Sequence, residues 1–225
     1  MNAKSKISIS AIISDNQWFF LAYTLFFISG LFLIVFVPKG DIILLLNRNR
    51  SDFFDFFFRF ITLLGDGFFL IIIFLILLVI RIRFALLSFL SFAFSGIFTQ
   101  IAKHIFSIPR PKSFFAPGIL HFIEGVKVYS SNSFPSGHSA TAFAFFLMLA
   151  LILKNKKLGI VCFLLALTVG ISRIYTLQHF FIDVYFGSLI GVIFSILTFY
   201  FITNSKRIGE LEILEKSLIT VFKKK

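Results

Sequence analysis

The chain has 225 residues, of which 58% are apolar, 14% are charged and 36 are Phe, with a formal net charge of +12. Soluble domains carry about 45–50% apolar residues, and a chain this short cannot bury such an excess. A soluble globular protein is therefore excluded, and lipid must solvate the remainder. The basic residues fall in short clusters between apolar runs rather than on one face, which argues against nucleic acid and for an anionic membrane surface or anionic substrate.

Six apolar stretches approach the ~20 residues that a bilayer core requires. The first, 18–37, follows Lys4 and Lys6 and stops at Pro38-Lys39-Gly40. It is too long for the core of a signal peptide and no small-residue cleavage site follows, so it reads as a retained helix. An outer loop is predicted over 39–67. Its Ser51–Phe60 portion mixes aromatic and charged residues and suits the interface plane. The second span, 60–80, closes at Arg81 and Arg83, and the third covers 84–106. A second outer loop, 107–137, is rich in Pro, Ser and Gly.

The fourth span starts at His138 and ends before Lys154. The fifth, 158–175, holds Cys162, the single cysteine, which excludes an intrachain disulfide and a multi-cysteine metal site. It reads as a small buried hydrophobe. The sixth, 182–203, closes at Lys206 and Arg207. The expected architecture is an all-α integral membrane six-helix bundle over 1–205 and a cytoplasmic basic tail over 206–225. Within the tail, 208–225 suits a short amphipathic helix whose Lys223, Lys224 and Lys225 match an anionic inner leaflet.

Basic residues in the short loops set the orientation. Lys4, Lys6, Arg81, Arg83, Lys154, Lys156, Lys157 and the tail cations collect on one side, which is then cytoplasmic, with both termini. Lys103, Arg110 and Arg173 collect on the other side with Asp66 and Asp183.

Ionisable residues beside membrane spans are expensive and mark functional sites. Lys103, Arg110 and Arg173 supply three cations of the kind that clamp the equatorial oxygens of a phosphoryl group in transit. Ser136 can cap the following helix, Gly137 admits close backbone approach, and the free N–H groups behind them form an anion site with His138 at its mouth. His138 can hold a proton for a leaving oxygen. His179 and Asp183 are four apart, and on a helix they would share a face, the carboxylate fixing the tautomer of an attacking imidazole. His104 and His121 lack such partners and read as structural. A zinc site is disfavoured, because three neighbouring cations would repel the ion and no spacing resembles a metal motif.

These residues resemble the three signature motifs of the phosphatidic acid phosphatase type 2 superfamily. The first is Lys103, six residues, then Arg110-Pro111. The second is Pro135-Ser136-Gly137-His138. The third is Ser172-Arg173, five residues, His179, three residues, then Asp183. Gly65-Asp66-Gly67 after a Phe-rich stretch is similar to bacterial members. The resemblance implies a helical bundle with its active site at the outer membrane face. It implies that His179 attacks phosphorus to give a phosphohistidine, Asp183 orients it, and His138 protonates the leaving group. Lys103, Arg110, Ser136, Gly137 and Arg173 would hold the phosphoryl oxygens, without metal or other cofactor.

The expected substrate is a phospholipid or isoprenoid lipid phosphate in a bacterial cytoplasmic membrane, with undecaprenyl pyrophosphate first and lipid A or glycerophospholipid phosphates next. A phosphotransferase using the same phosphohistidine is a second reading. A non-enzymatic lipid-binding or transport protein is a third, but it expects midplane charges and interrupted helices in corresponding halves.

Overall fold

A computed structural model describes residues 6–222 and is helical throughout its regular elements. Lys4 and Lys223, Lys224 and Lys225 lie outside the described residues. In chain order the helices are α1 (Ile9–Asp15), α2 (Gln17–Phe36), α3 (Asp41–Arg48), α4 (Asp52–Ile61), α5 (Gly67–Ile80), α6 (Ile82–Phe106), α7 (Pro111–Phe114), α8 (Gly137–Leu153), α9 (Lys156–Tyr175), α10 (Phe181–Asn204), α11 (Lys206–Gly209) and α12 (Leu218–Phe222). Single 3-10 turns occupy Thr62–Gly65 and Glu212–Glu215.

Helix starts follow local capping chemistry. Ser51, Asp66, Ser136 and Asn155 accept hydrogen bonds from backbone N–H groups of the first turns of α4, α5, α8 and α9, groups with no partner inside the helix. Helices α2, α6, α9 and α10 are each long and apolar enough to cross a membrane. Helix α4 with its 3-10 turn joins α5 at a bend of 55°, and α8 is apolar but has 17 residues. Together these supply the six membrane elements expected.

Helix α8 is the axle of the bundle and packs against α6, α9 and α10. It is shielded on nearly every face, so it need not carry a full lipid-facing length. Close approach to α10 depends on two glycines. A Cβ on Gly191 would fall 2.4 Å from the Ala140 carbonyl oxygen, and one on Gly187 would fall 2.6 Å from that of Ser136. Ser195 Oγ donates to the Ala144 carbonyl at 2.8 Å and meets Ser91 Oγ at 2.8 Å, tying α10 to α8 and α6. The outward faces are apolar, with Ile28 on α2, Leu75 on α5 and Ile97 on α6 all exposed, as lipid solvation requires.

Two expectations are corrected. The segment predicted as a loop over 39–67 contains α3 and α4, and the following straight helix starts at Gly67 rather than Phe60. The break arises where Asp66 Oδ1 accepts from Phe68 N at 2.8 Å and starts a new helix. The tail is not one amphipathic helix but α11, a 3-10 turn and α12. It docks on the start of α6, where Glu215 pairs with Arg81 at 3.1 Å and Arg83 at 2.6 Å, and Leu214 is buried.

Candidate active site

The N-terminus of α8, the C-termini of α6 and α9 and the N-terminus of α10 converge at one end of the bundle. Arg81, Arg83 and Lys154 line a cavity at the other end of α8. The two cation groups separated in the sequence by loop position are thus also separated in space.

Ser136 caps α8. Its Oγ accepts from Ser139 N at 3.3 Å, and its own N–H donates to the Asp183 carbonyl at 2.9 Å. The second and third motifs are therefore joined through backbone. Gly137 opens the helix, and His138 follows with its Nε2 3.7 Å from Asp66 Oδ2. That approach needs Gly65, where a Cβ would lie 2.9 Å from the His138 carbonyl oxygen.

The three cations are held by neutral acceptors, not by carboxylates. Lys103 Nζ donates to the Asn132 carbonyl at 2.6 Å. Arg110 Nε donates to the Ser131 carbonyl at 2.8 Å, and its Nη1 to Gln178 Oε1 at 2.9 Å. Arg173 Nη1 donates to Thr62 Oγ1 at 2.7 Å, while its Nε is buried without a partner among the described residues. Carbonyl and hydroxyl oxygens orient the donors but leave the positive charge uncompensated, which is the state an anion-binding site requires. Burial pushes the Arg110 guanidinium below its ordinary value, against the pull of Asp183 and Tyr129, and a guanidinium so shifted still stays cationic.

His179 is 2% exposed and lies between α9 and α10. Its backbone N–H donates to the Arg173 carbonyl at 3.1 Å, which fixes the connection tightly against the end of α9. Burial holds the imidazole well below the usual histidine value of 6.5, and Arg173, Arg110 and Lys103 push the same way, opposed by a backbone hydrogen bond at Ser133. The ring is therefore neutral near pH 7 and keeps one unprotonated nitrogen.

The helical pairing expected for His179 and Asp183 is corrected. His179 precedes the helix, and Asp183 is the third residue of α10, its carboxylate turned back to accept from Phe180 N at 2.9 Å and from Ser133 Oγ. That N-terminal capping geometry, not a shared helix face, leaves Asp183 Oδ2 3.5 Å from His179 Nδ1.

The structure thus brings Lys103, Arg110, Ser136, Gly137, His138, Arg173, His179 and Asp183 to one end of the bundle. Sequence reading missed their supports: Asp66 at His138, Thr62 at Arg173, Gln178 at Arg110 and Ser133 at Asp183. Gln178 adjoins His179 in sequence, and Asp66 sits in the Gly65-Asp66-Gly67 segment, but nothing local marks Thr62 or Ser133. His104 Nδ1 is paired with the Gln100 carbonyl at 2.7 Å and lines the same groove as His138, and the His121 backbone N–H donates to Asn47 Oδ1 at 3.0 Å. Among the described residues no three His, Cys, Asp or Glu side chains cluster as metal ligands.

A groove of about 950 Å³ runs from His138 and Gly137 along α6, lined by Phe92, Ile97, Ile101 and Ile105. An apolar slot that ends at Gly137 and His138 is a shape that can hold an apolar chain beside the bundle.

The sequence model described as PAP2 superfamily matches residues 84–207. Lipid A 1-phosphatase of Rhizobium johnstonii is 32% identical over 110 residues, 49% of this chain and 44% of that protein. Phosphatidylglycerophosphatase B of Bacillus subtilis is 35% identical over 131 residues, 54% of this chain and 60% of that protein. The matched region thus spans roughly half the length of these curated relatives. Among solved structures, Aquifex aeolicus LpxE superposes with a TM-score of 0.65 at 28% identity, covering 72% of this chain and 95% of that one. The PAP2-type phosphatidylglycerolphosphate phosphatase of Bacillus subtilis superposes with a TM-score of 0.57 at 26% identity, covering 83% and 97%.

Proposed function

The chain belongs to the PAP2 superfamily, and on that premise we propose that it is a membrane lipid phosphatase with a histidine nucleophile and no metal requirement. The observation that carries this reading is the buried neutral imidazole of His179 beside three cations without carboxylate partners. A neutral ring is the attacking form, and the uncompensated cations form the complement of a phosphoryl group.

His179 attacks phosphorus, and the bond to the lipid oxygen breaks as His138 gives that oxygen a proton. Water then attacks the phosphohistidine and gives a proton back to His138, yielding inorganic phosphate and restoring both histidines. Lys103, Arg110 and Arg173 hold the equatorial oxygens with the α8 N–H groups behind Ser136 and Gly137. Asp183 orients His179 and stabilises the positive charge that develops on it. Metal independence is supported by the three cations, which supply the charge a metal would bring and would repel one.

Undecaprenyl pyrophosphate is the first substrate we propose. Lipid A 1-phosphate is the second reading, favoured by the printed name of the Rhizobium relative. The positive-inside count places Lys154–Lys157 in the cytoplasm and the histidine pair at the outer face of a bacterial inner membrane. Two measurements test these statements. Purified protein should release phosphate from at least one of undecaprenyl pyrophosphate, lipid A 1-phosphate and phosphatidylglycerol phosphate; release from none would sink the phosphatase reading. With Cys162 replaced, Ser113→Cys should react with an impermeant reagent outside intact cells and Lys157→Cys should not, and the reverse pattern would invert the orientation.

A further inference from the structure

A second cavity, of about 250 Å³, lies between the end of α4, the 107–137 segment and the end of α9. It shares no lining residue with the apolar groove at His138. Arg59, Thr62, Gly125, Arg173 and Thr176 line it, and no acidic side chain does. At ~30 Å³ per water, the space equals roughly eight waters, room for a small oxyanion and part of its hydration shell.

Two independent features point to an anion. Among the described residues neither Arg59 nor Arg173 has a carboxylate within 4.0 Å. Arg173 is 8% exposed, and its buried Nε has no hydrogen-bond partner. Arg59 is exposed and Arg173 is buried, so the cavity joins one solvated and one desolvated guanidinium, a pair that an anion between them would bridge. Gly125, whose φ of +73° is a left-handed conformation that glycine adopts without strain, brings bare backbone beside the Arg59 guanidinium.

We propose that this cavity is a second phosphate site, in which Arg59 and Arg173 hold the ion through their planar forks, with the Thr62 hydroxyl, which accepts from Arg173 and keeps its own proton to give, as a further donor. The proposal rests on the phosphatase reading above for the first phosphate site, at the histidine pair. Arg173 belongs to both places. Separation from the lipid groove favours inorganic phosphate, the water-soluble product, as the occupant, with the second phosphate of a lipid diphosphate as the other source of the same chemistry.

The test uses the full chain in detergent and inorganic phosphate as the probe. Equilibrium dialysis should find two phosphates per wild-type chain and one for Arg59→Gln, with Arg59→Lys recovering part of the loss. In turnover of a lipid monophosphate, Arg59→Gln should keep its rate but raise the inhibition constant for added phosphate about tenfold, the loss of one charged hydrogen bond. A fall instead in the preference for undecaprenyl pyrophosphate over undecaprenyl phosphate would assign the site to the substrate's second phosphate. Should Arg59→Gln fail to fold, Arg59→Met, which keeps the apolar stem without the charge, should weaken the second phosphate likewise. Wild-type stoichiometry and affinity in the folded variant would overturn the proposal. Absence of any hydrolysis by the wild type would instead tell against the phosphatase reading, leaving the dialysis to decide this one.

Discussion

His179 Nδ1 stands 3.5 Å from Asp183 Oδ2, with the two side chains 2% and 1% exposed. At that separation the pair is one small shift from a hydrogen bond, and the carboxylate is already anchored by Phe180 N–H and Ser133. The imidazole's value lies below 6.5 through burial and the three cations. Since the attacking form is neutral, the acidic limb of kcat/KM should have its midpoint below about 6.5, the unperturbed value. Asp183→Asn removes a charge that favours the imidazolium, so the limb should move further down. The maximum rate should fall by about 10²–10⁴, the range for a lost acid–base partner. Profiles of kcat/KM against pH in one detergent check both. An unmoved limb at full rate would dissociate Asp183 from His179.

The same shift carries a stability consequence. A histidine depressed in the native state is protonated first in the unfolded chain. Its contribution is therefore complete above about 6.5 and is lost as pH falls through the lower native value. Thermal unfolding of wild type should thus decline between pH 6.5 and pH 5 more steeply than that of His179→Gln.

Asp66 Oδ2 lies 3.7 Å from His138 Nε2, close enough to orient the ring that gives up the proton. Asn keeps the cap that Asp66 gives α5, so Asp66→Asn should fold normally. Turnover of alkyl phosphates, whose leaving oxygen needs the proton, should drop about tenfold, while aryl phosphates with good leaving groups should be nearly unaffected. Equal losses on both would assign Asp66 a purely structural role.

Gly191→Ala places a methyl 2.4 Å from the Ala140 carbonyl. Backbone on both sides leaves no side chain to yield, so α10 must back away from α8. Overpacking of this kind costs about 1–3 kcal/mol, and a lowered melting temperature in detergent is the expected reading. Activity should fall with it, because α10 carries Asp183. An unchanged melting temperature would mean the helix contact is looser than described.

Chelation provides a further check. With protein cations holding the phosphoryl group, EDTA should leave the rate unchanged, and vanadate, a mimic of five-coordinate phosphorus, should inhibit. Loss of activity on chelation, restored by Mg²⁺ or Zn²⁺, would refute metal independence.

Much of the site was legible because each motif is contiguous and its chemistry is costly beside a membrane. Lys103, Arg110, His138, Arg173, His179 and Asp183 stand out as ionisable groups in apolar surroundings. Thr62, Ser133 and Gln178 were not legible, since common neutral residues gain meaning only from what the fold sets opposite them. Apolar run length located the spans, but it started the second at Phe60, where the structure starts α5 at Gly67. The 3-10 turn at Thr62–Gly65 and the cap at Asp66 separate α4 from α5. Spacing of four suggested one helix face for His179 and Asp183, and failed because Asp183 caps the helix that His179 precedes.

The central claim is that phosphorus is transferred to His179. Rapid acid-free quenching of wild type with a ³²P-labelled lipid phosphate should trap label on the peptide containing His179, acid-labile and base-stable as a phosphoramidate is. His179→Ala, folded by its melting curve, should show neither label nor turnover. Turnover by that variant at a near wild-type rate, with no label trapped in either protein, would contradict the account.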